Sequence, residues 1–163
     1  MEVNTIALAG GLFAVFTFIH FCVDWIFQTH AEAMAKHNNW KIRARHCTIY
    51  TLGFFPIMWV LHFSVLEFVL ATNVLFWSHF IEDTYLPVYL WAKYIRKPSE
   101  MTDPHKELIV GVDGHQTFKV SPPDPKKGFI EFVSTPLGKI LMIAIDQIIH
   151  LAFLIPLVWM ALN

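Results

Sequence analysis

Residues 46–83 read HCTIYTLGFFPIMWVLHFSVLEFVLATNVLFWSHFIED, an apolar run about twice the ~20 helical residues that cross a ~30 Å hydrocarbon core. A run of that length has to turn back on itself. Neither Gly nor Pro marks the turn, so the bend is placed near His62–Glu67, midway between His46 and Asp83. Thr72-Asn73 is the rival position, and the choice sets the depth of His79. Working outward, Ile6–Phe27 and the stretch after Lys139 are equally apolar. The expected spans are therefore 5–27, 46–63, 66–84 and 139–161. They predict one integral membrane domain over 1–163, an all-α transmembrane four-helix bundle.

Composition supports lipid as the solvent. The 55% hydrophobic content over 163 residues, with a mean hydropathy of +0.48, exceeds what a soluble domain of this length carries. Fifteen Phe and six Trp against seven Gly favour helices over the alternating pattern of a membrane barrel. The net charge of −1 and the absence of a basic run or nucleic-acid module argue against a nucleic-acid partner. Cys22 and Cys47 lie in or beside apolar segments and read as packed, reduced thiols. The first span carries His20 and Asp24 and no basic leader, so it is expected to stay on the protein.

All twelve Lys/Arg residues fall in the 28–45 loop or between Lys93 and Lys139. The positive-inside bias puts both regions in the cytoplasm and both termini outside. Thr84–Lys97, rich in Tyr and Trp and broken by Pro87, reads as an interfacial helix. Leu108–Val112 and His115–Val120, joined at Asp113-Gly114, read as a small cytoplasmic β-hairpin within a 98–128 insertion, closed by Pro122, Pro123 and Pro125.

Ionisable groups in lipid-spanning helices cost roughly 2.5–3.5 kcal/mol each and need a partner or a function. Here they recur at a spacing of four: His20/Asp24, His46/Tyr50, His79/Asp83 and Asp146/His150. Residues i and i+4 share one helix face, and the expected topology brings all four pairs to the cytoplasmic half. Any one pair is ordinarily an interhelical hydrogen bond. Three pairs with His46 at one level favour a site. Imidazole and carboxylate suit zinc, with iron or manganese as alternatives, and inward-facing side chains build such sites in helical bundles. The candidate metal ligands are His20, Asp24, His46, His79, Asp83, Asp146 and His150, enough for two ions or for one with second carboxylates. Asp24, Asp83 and Tyr50 are the candidate catalytic groups, and Gln28, one turn past Asp24, is a candidate headgroup contact. His62 reads as part of the outer turn, His30, His37 and Lys36 as a solvated loop, and His105 and His115 as surface.

The series His20-x-x-x-Asp24-Trp25-x-x-Gln28, His46-x-x-x-Tyr50, His79-Phe80-x-x-Asp83 and Asp146-Gln147-x-x-His150 resembles the domain-of-unknown-function 3307 family, small multi-span membrane proteins of bacteria and phages. The likeness covers 15–97 and 137–155. Glu82 departs from it, standing where an aliphatic residue is usual, and 98–128 looks inserted. The resemblance implies four helices, a shared polar site and the bacterial inner membrane, with no established reaction. A looser likeness runs to small membrane-bound proteins labelled metal-dependent hydrolases.

Three functions fit the sequence. One is a metal-dependent hydrolase acting on a lipid or lipid-linked phosphate. Another is a proton or metal-ion transporter. The third is a non-catalytic phage- or defence-related protein that docks a protein partner on the hairpin. Membrane lipid is the expected partner in each, and self-association into a homo-oligomer is compatible with all three.

Overall fold

The computed structural model describes residues 3–96, 105–110, 116–121 and 132–163. The chain divides into two compact units, Met1–Pro87 with Asp146–Asn163, and Val88–Ile145.

The first unit begins with α1 (Val3–Phe21), which runs into a wider π-helical turn over Cys22–Ile26. A short α2 (His30–Ala35) follows, then α3 (Trp40–Val60) and α4 (Val65–Glu82). Local sequence explains the starts. Thr29-x-x-Glu32 and Ser64-x-x-Glu67 each form a reciprocal capping box, in which side chain and backbone satisfy each other's free donors. The Asn39 side chain accepts from the Lys41 and Ile42 backbone N–H groups and starts α3. The reversal between α3 and α4 lies at 61–64, where His62 takes a left-handed φ of 56°. Thr72 and Asn73, the rival turn, sit inside α4 and return their side chains to the Phe68 and Val69 carbonyls.

Helix α3 lies along α4, α1 packs on α3, and the C-terminal helix α7 (Ile155–Ala161) touches both α1 and α4. Phe16, Phe54, Met58, Leu75, Leu154 and Leu157 fill the core between them. One close approach has a clear cause. A Cβ at Gly53 would lie 2.4 Å from Cγ2 of Val23, so the missing side chain lets α3 seat against the π-helical turn.

In the second unit, α5 (Leu86–Trp91) passes into a π-helical segment, Ala92–Arg96. Strands β1 (His105–Val110) and β2 (Gln116–Ser121) pair antiparallel. Helix α6 (Pro136–Ala152) starts in this unit and contributes Asp146 onward to the first.

The expected architecture needs correction. Among the described residues, three helices are long and apolar enough to cross a membrane: Asn4–Ile26, Val65–Glu82 and Pro136–Ala161. Helix α3 (Trp40–Val60), which covers most of the expected 46–63 span, does not qualify. Lys41, Arg43, Arg45 and His46 crowd its start, and Thr48, Tyr50, Thr51 and Pro56 dilute its apolar run. The seven α-helices among the described residues are broken and unequal and do not form a four-helix bundle. The expected hairpin is also corrected. An Asp113-Gly114 turn predicts Val110 opposite Thr117, whereas Val110 stands opposite Gln116, one residue off that register. The joining segment and the Pro122–Pro125 linker lie outside the described residues.

Candidate metal centre

The π-helical turn shapes the site first. It carries Asp24, while His20 stands in α1 just before it, and π-turns of this kind are frequent at functional sites. Asp24 is turned toward His46 on α3 and His79 on α4, and His20 toward Tyr50 on α3 and Gln147 on α6. Oδ1 of Asp24 lies 3.0 Å from Nε2 of His46 and 3.5 Å from Nε2 of His79. The two Nε2 atoms are themselves 2.9 Å apart. From the end of α4, Oδ2 of Asp83 stands 3.7 Å from His46 Nε2 and 3.6 Å from His79 Nε2. All four residues are at most 4% exposed.

Those separations fit a metal centre. Ligand atoms at ~2.0–2.1 Å from a tetrahedral zinc stand roughly 3.3 Å apart, in the middle of the observed range. Asp24, His46 and His79 offer atoms within 4.8 Å of one another, as a group that could hold a metal ion. Asp83 Oδ2 is buried without a hydrogen-bond partner and faces both imidazoles. Three ligands and a fourth position left for water or substrate are the pattern of catalytic zinc. The thiol of Cys47, fully buried on α3, also comes within 4.8 Å of ligand atoms of His79 and Asp83.

Lys36 enters this cluster from just past α2. Its Nζ lies 2.8 Å from Asp83 Oδ1, 3.4 Å from Asp24 Oδ1 and 3.3 Å from His46 Nε2. Burial opposes its charge, but the Asp24 and Asp83 carboxylates outweigh that and hold the ammonium above the ordinary lysine value. One ammonium does not neutralise two buried carboxylates, which leaves room for a further cation. His37, beside it, donates from Nδ1 to the Asp83 carbonyl at 2.8 Å and stacks on Tyr85 at 3.7 Å. Burial pushes the His37 imidazole below its ordinary value, against the opposing pull of the Asp83 carbonyl and carboxylate. Tyr85 holds a left-handed φ of 60° there. Arg43, 8% exposed and one turn before His46, lies over the Phe80 ring at 4.8 Å, with Nε and Nη1 buried and unpartnered.

The other candidates are placed differently. His20 uses both ring nitrogens on protein: with the proton on Nε2 it donates to Gln147 Oε1 at 3.1 Å and accepts the Tyr50 hydroxyl at Nδ1, 2.9 Å away. Neither nitrogen is left for an ion. Tyr50 therefore supports His20 through its hydroxyl, while its ring stacks on His79 at 3.9 Å and 3°. His150 donates from Nδ1 to the Asp146 backbone carbonyl at 2.8 Å and turns Nε2 to Glu82 Oε2 at 3.0 Å. The Asp146 carboxylate is more distant, 3.7 Å from His150 Nδ1, and accepts from Gln147. Gln28 has a buried, unpartnered Oε1. His62 and His30 are exposed.

Reading the sequence missed Lys36, Arg43, Glu82 and Gln147. Two signals were available. Thr29-x-x-Glu32 is a legible capping box, which turns the basic loop into a folded segment able to bury Lys36. Glu82 lies three residues past His79, so it shares that face of α4.

A model of the DUF3307 protein family, described as a protein of unknown function, matches residues 12–104, more than half of the chain. The chain belongs to the DUF3307 family. The matched region contains Asp24, Lys36, Arg43, His46, His79, Glu82 and Asp83, while Asp146 and His150 lie beyond it. No curated protein and no solved structure matches the chain significantly.

Proposed function

We propose that this DUF3307 protein is a membrane-embedded metal-dependent hydrolase that cleaves a lipid or lipid-linked phosphate. The observation that carries the proposal is the convergence of Asp24, His46 and His79 donor atoms in a buried space that the free oxygen of Asp83 also faces. Asp24, His46 and His79 would hold a divalent ion, with zinc the best match to the ligand set, which would supply Lewis-acid activation of water and of a phosphoryl oxygen. Asp83 Oδ2 takes the water proton as general base. The water oxygen bonds to phosphorus, the ester P–O bond breaks, and the proton passes to the departing lipid alcohol. Lys36 and Arg43 add positive charge near the leaving and transferring oxygens. A lipid substrate follows from the three helices able to cross a membrane. The basic 28–45 segment favours the cytoplasmic leaflet as the level of the site.

The test is metal content and turnover of full-length protein in detergent, assayed on a lipid phosphomonoester in mixed micelles. Wild type should retain divalent metal through desalting, and Asp24→Asn and His46→Gln should lose the ion held at this centre. Asp83→Asn should keep its metal yet lose about 10²–10⁴-fold in rate, the usual size of a general-base contribution. Wild-type protein that binds no metal and behaves identically in chelator would end this reading.

A further inference from the structure

We infer that a second divalent cation binds at His79, Glu82 and His150, between α4 and α6 and beside the Asp24 centre. These residues offer donor atoms within 4.8 Å of one another, and all three are buried. Each also carries a buried side-chain atom with no hydrogen-bond partner: Nδ1 of His79, Oε1 of Glu82 and Nε2 of His150. Three such orphans in one place are unusual, since buried polar groups are nearly always satisfied and each unpaired one costs ~1–3 kcal/mol.

The tautomer of His150 sharpens the point. Its Nδ1–H is committed to the Asp146 carbonyl at 2.8 Å, the arrangement that fixes a ligating histidine with its other nitrogen bare. That bare Nε2 faces Glu82 Oε2 at 3.0 Å, lone pair against lone pair. A cation has to lie between them. A proton would satisfy only this pair and leave His79 Nδ1 and Glu82 Oε1 unpaired, whereas a metal ion draws on all three residues. Two imidazoles and a carboxylate match a catalytic zinc set and also accept iron or manganese. His79 stands at the middle, its ring centroid 5.0 Å from that of His46 and 4.6 Å from that of His150, so it would serve both centres as a bridging imidazolate, its ring proton released to solvent when the second ion binds. This inference stands apart from the hydrolytic reading, because it concerns ion binding alone.

The test uses zinc, and cobalt as a spectroscopic stand-in, on full-length protein in detergent after desalting. Wild type should retain two equivalents. Glu82→Gln and His150→Gln should each retain one, with the cobalt ligand-field spectrum of the remaining ion abolished when Asp24→Asn is added. His79→Gln should lose both ions. Asp146→Asn should keep both, since its backbone carbonyl, rather than its carboxylate, orients His150. If Asp24→Asn costs no ion while Glu82→Gln costs one, this second site stands and the Asp24 centre falls. A single equivalent in wild type, lost in Asp24→Asn and retained in Glu82→Gln, overturns the second site and leaves the first intact.

Discussion

A lysine buried against two carboxylates and an imidazole, as Lys36 is, leaves its place only when another cation takes over its charge. Removing one partner from such a buried set costs ~3–5 kcal/mol, because the opposite charges are stranded. Lys36→Met should therefore lower the thermal midpoint of the metal-free protein sharply. Saturating zinc should restore most of the loss, as the ion then faces Asp24 and Asp83. Equal destabilisation in chelator and in zinc, followed by circular dichroism, would show that Lys36 does not share those ligands with an ion. Tyr50→Phe is the contrasting case. It strands His20 Nδ1 and should cost ~1–3 kcal/mol, with metal content unchanged because the Tyr50 hydroxyl points away from the Asp24 cluster. Loss of metal in this variant would make Tyr50 a ligand after all.

At the scale of elements, the site depends on how α1 ends and how closely α3 meets it. Val23 and Asp24 belong to the π-helical turn, and the bare Cα of Gly53 lets α3 reach it. Gly53→Ala should push the turn and α3 apart, costing ~1–3 kcal/mol by overpacking and weakening metal retention by displacing Asp24. Unchanged metal affinity in a destabilised Gly53→Ala protein would show that Asp24 is positioned by something else. Helix α2, which carries Lys36 at its end, is tied down by Glu32. The Thr29 backbone N–H and hydroxyl, and the nearby Arg45, hold the Glu32 carboxyl below its ordinary value of 4.5. The folded value is the lower one, so the cap's contribution is complete above the ordinary value and is lost as pH falls through the lowered one. Amide exchange in α2 should speed up over that acidic window in wild type. The same window should be flat in Glu32→Gln.

For the molecule as a whole, apolar burial is a weak force between helices in lipid, where surrounding tails are as apolar as the core. The polar layer is then what joins α1, α3, α4 and α6, and an ion bound only by the folded state adds RT ln(1 + [L]/Kd), ~4 kcal/mol at a thousandfold excess over Kd. Chelator should lower the midpoint of wild type and leave the Asp24→Asn/Glu82→Gln double variant unaffected. The same layout argues against ion passage. Beyond the His/Asp layer the described core is Phe16, Phe54, Met58, Leu75 and Leu157, with hydroxyls such as Thr17 and Thr51 beside it but no ionisable side chain among these residues. Sealed vesicles containing the protein should show no His79-dependent flux.

Hydropathy and spacing alone determined that the chain is helical, that long apolar segments separate two basic regions, and that His46, His79 and the aspartates beside them belong to one polar level. Those properties are local, carried by residues within a turn or two of one another. Tertiary structure decided what no spacing rule reaches. Tyr50 and Gln147 took both ring nitrogens of His20, the capping box on α2 delivered Lys36 from an apparently solvated loop, and Glu82 rather than the Asp146 carboxylate came to face His150. In each case the partner of a side chain lies on a segment distant in sequence, so the contact is set by how helices pack, as Gly53 against Val23 illustrates.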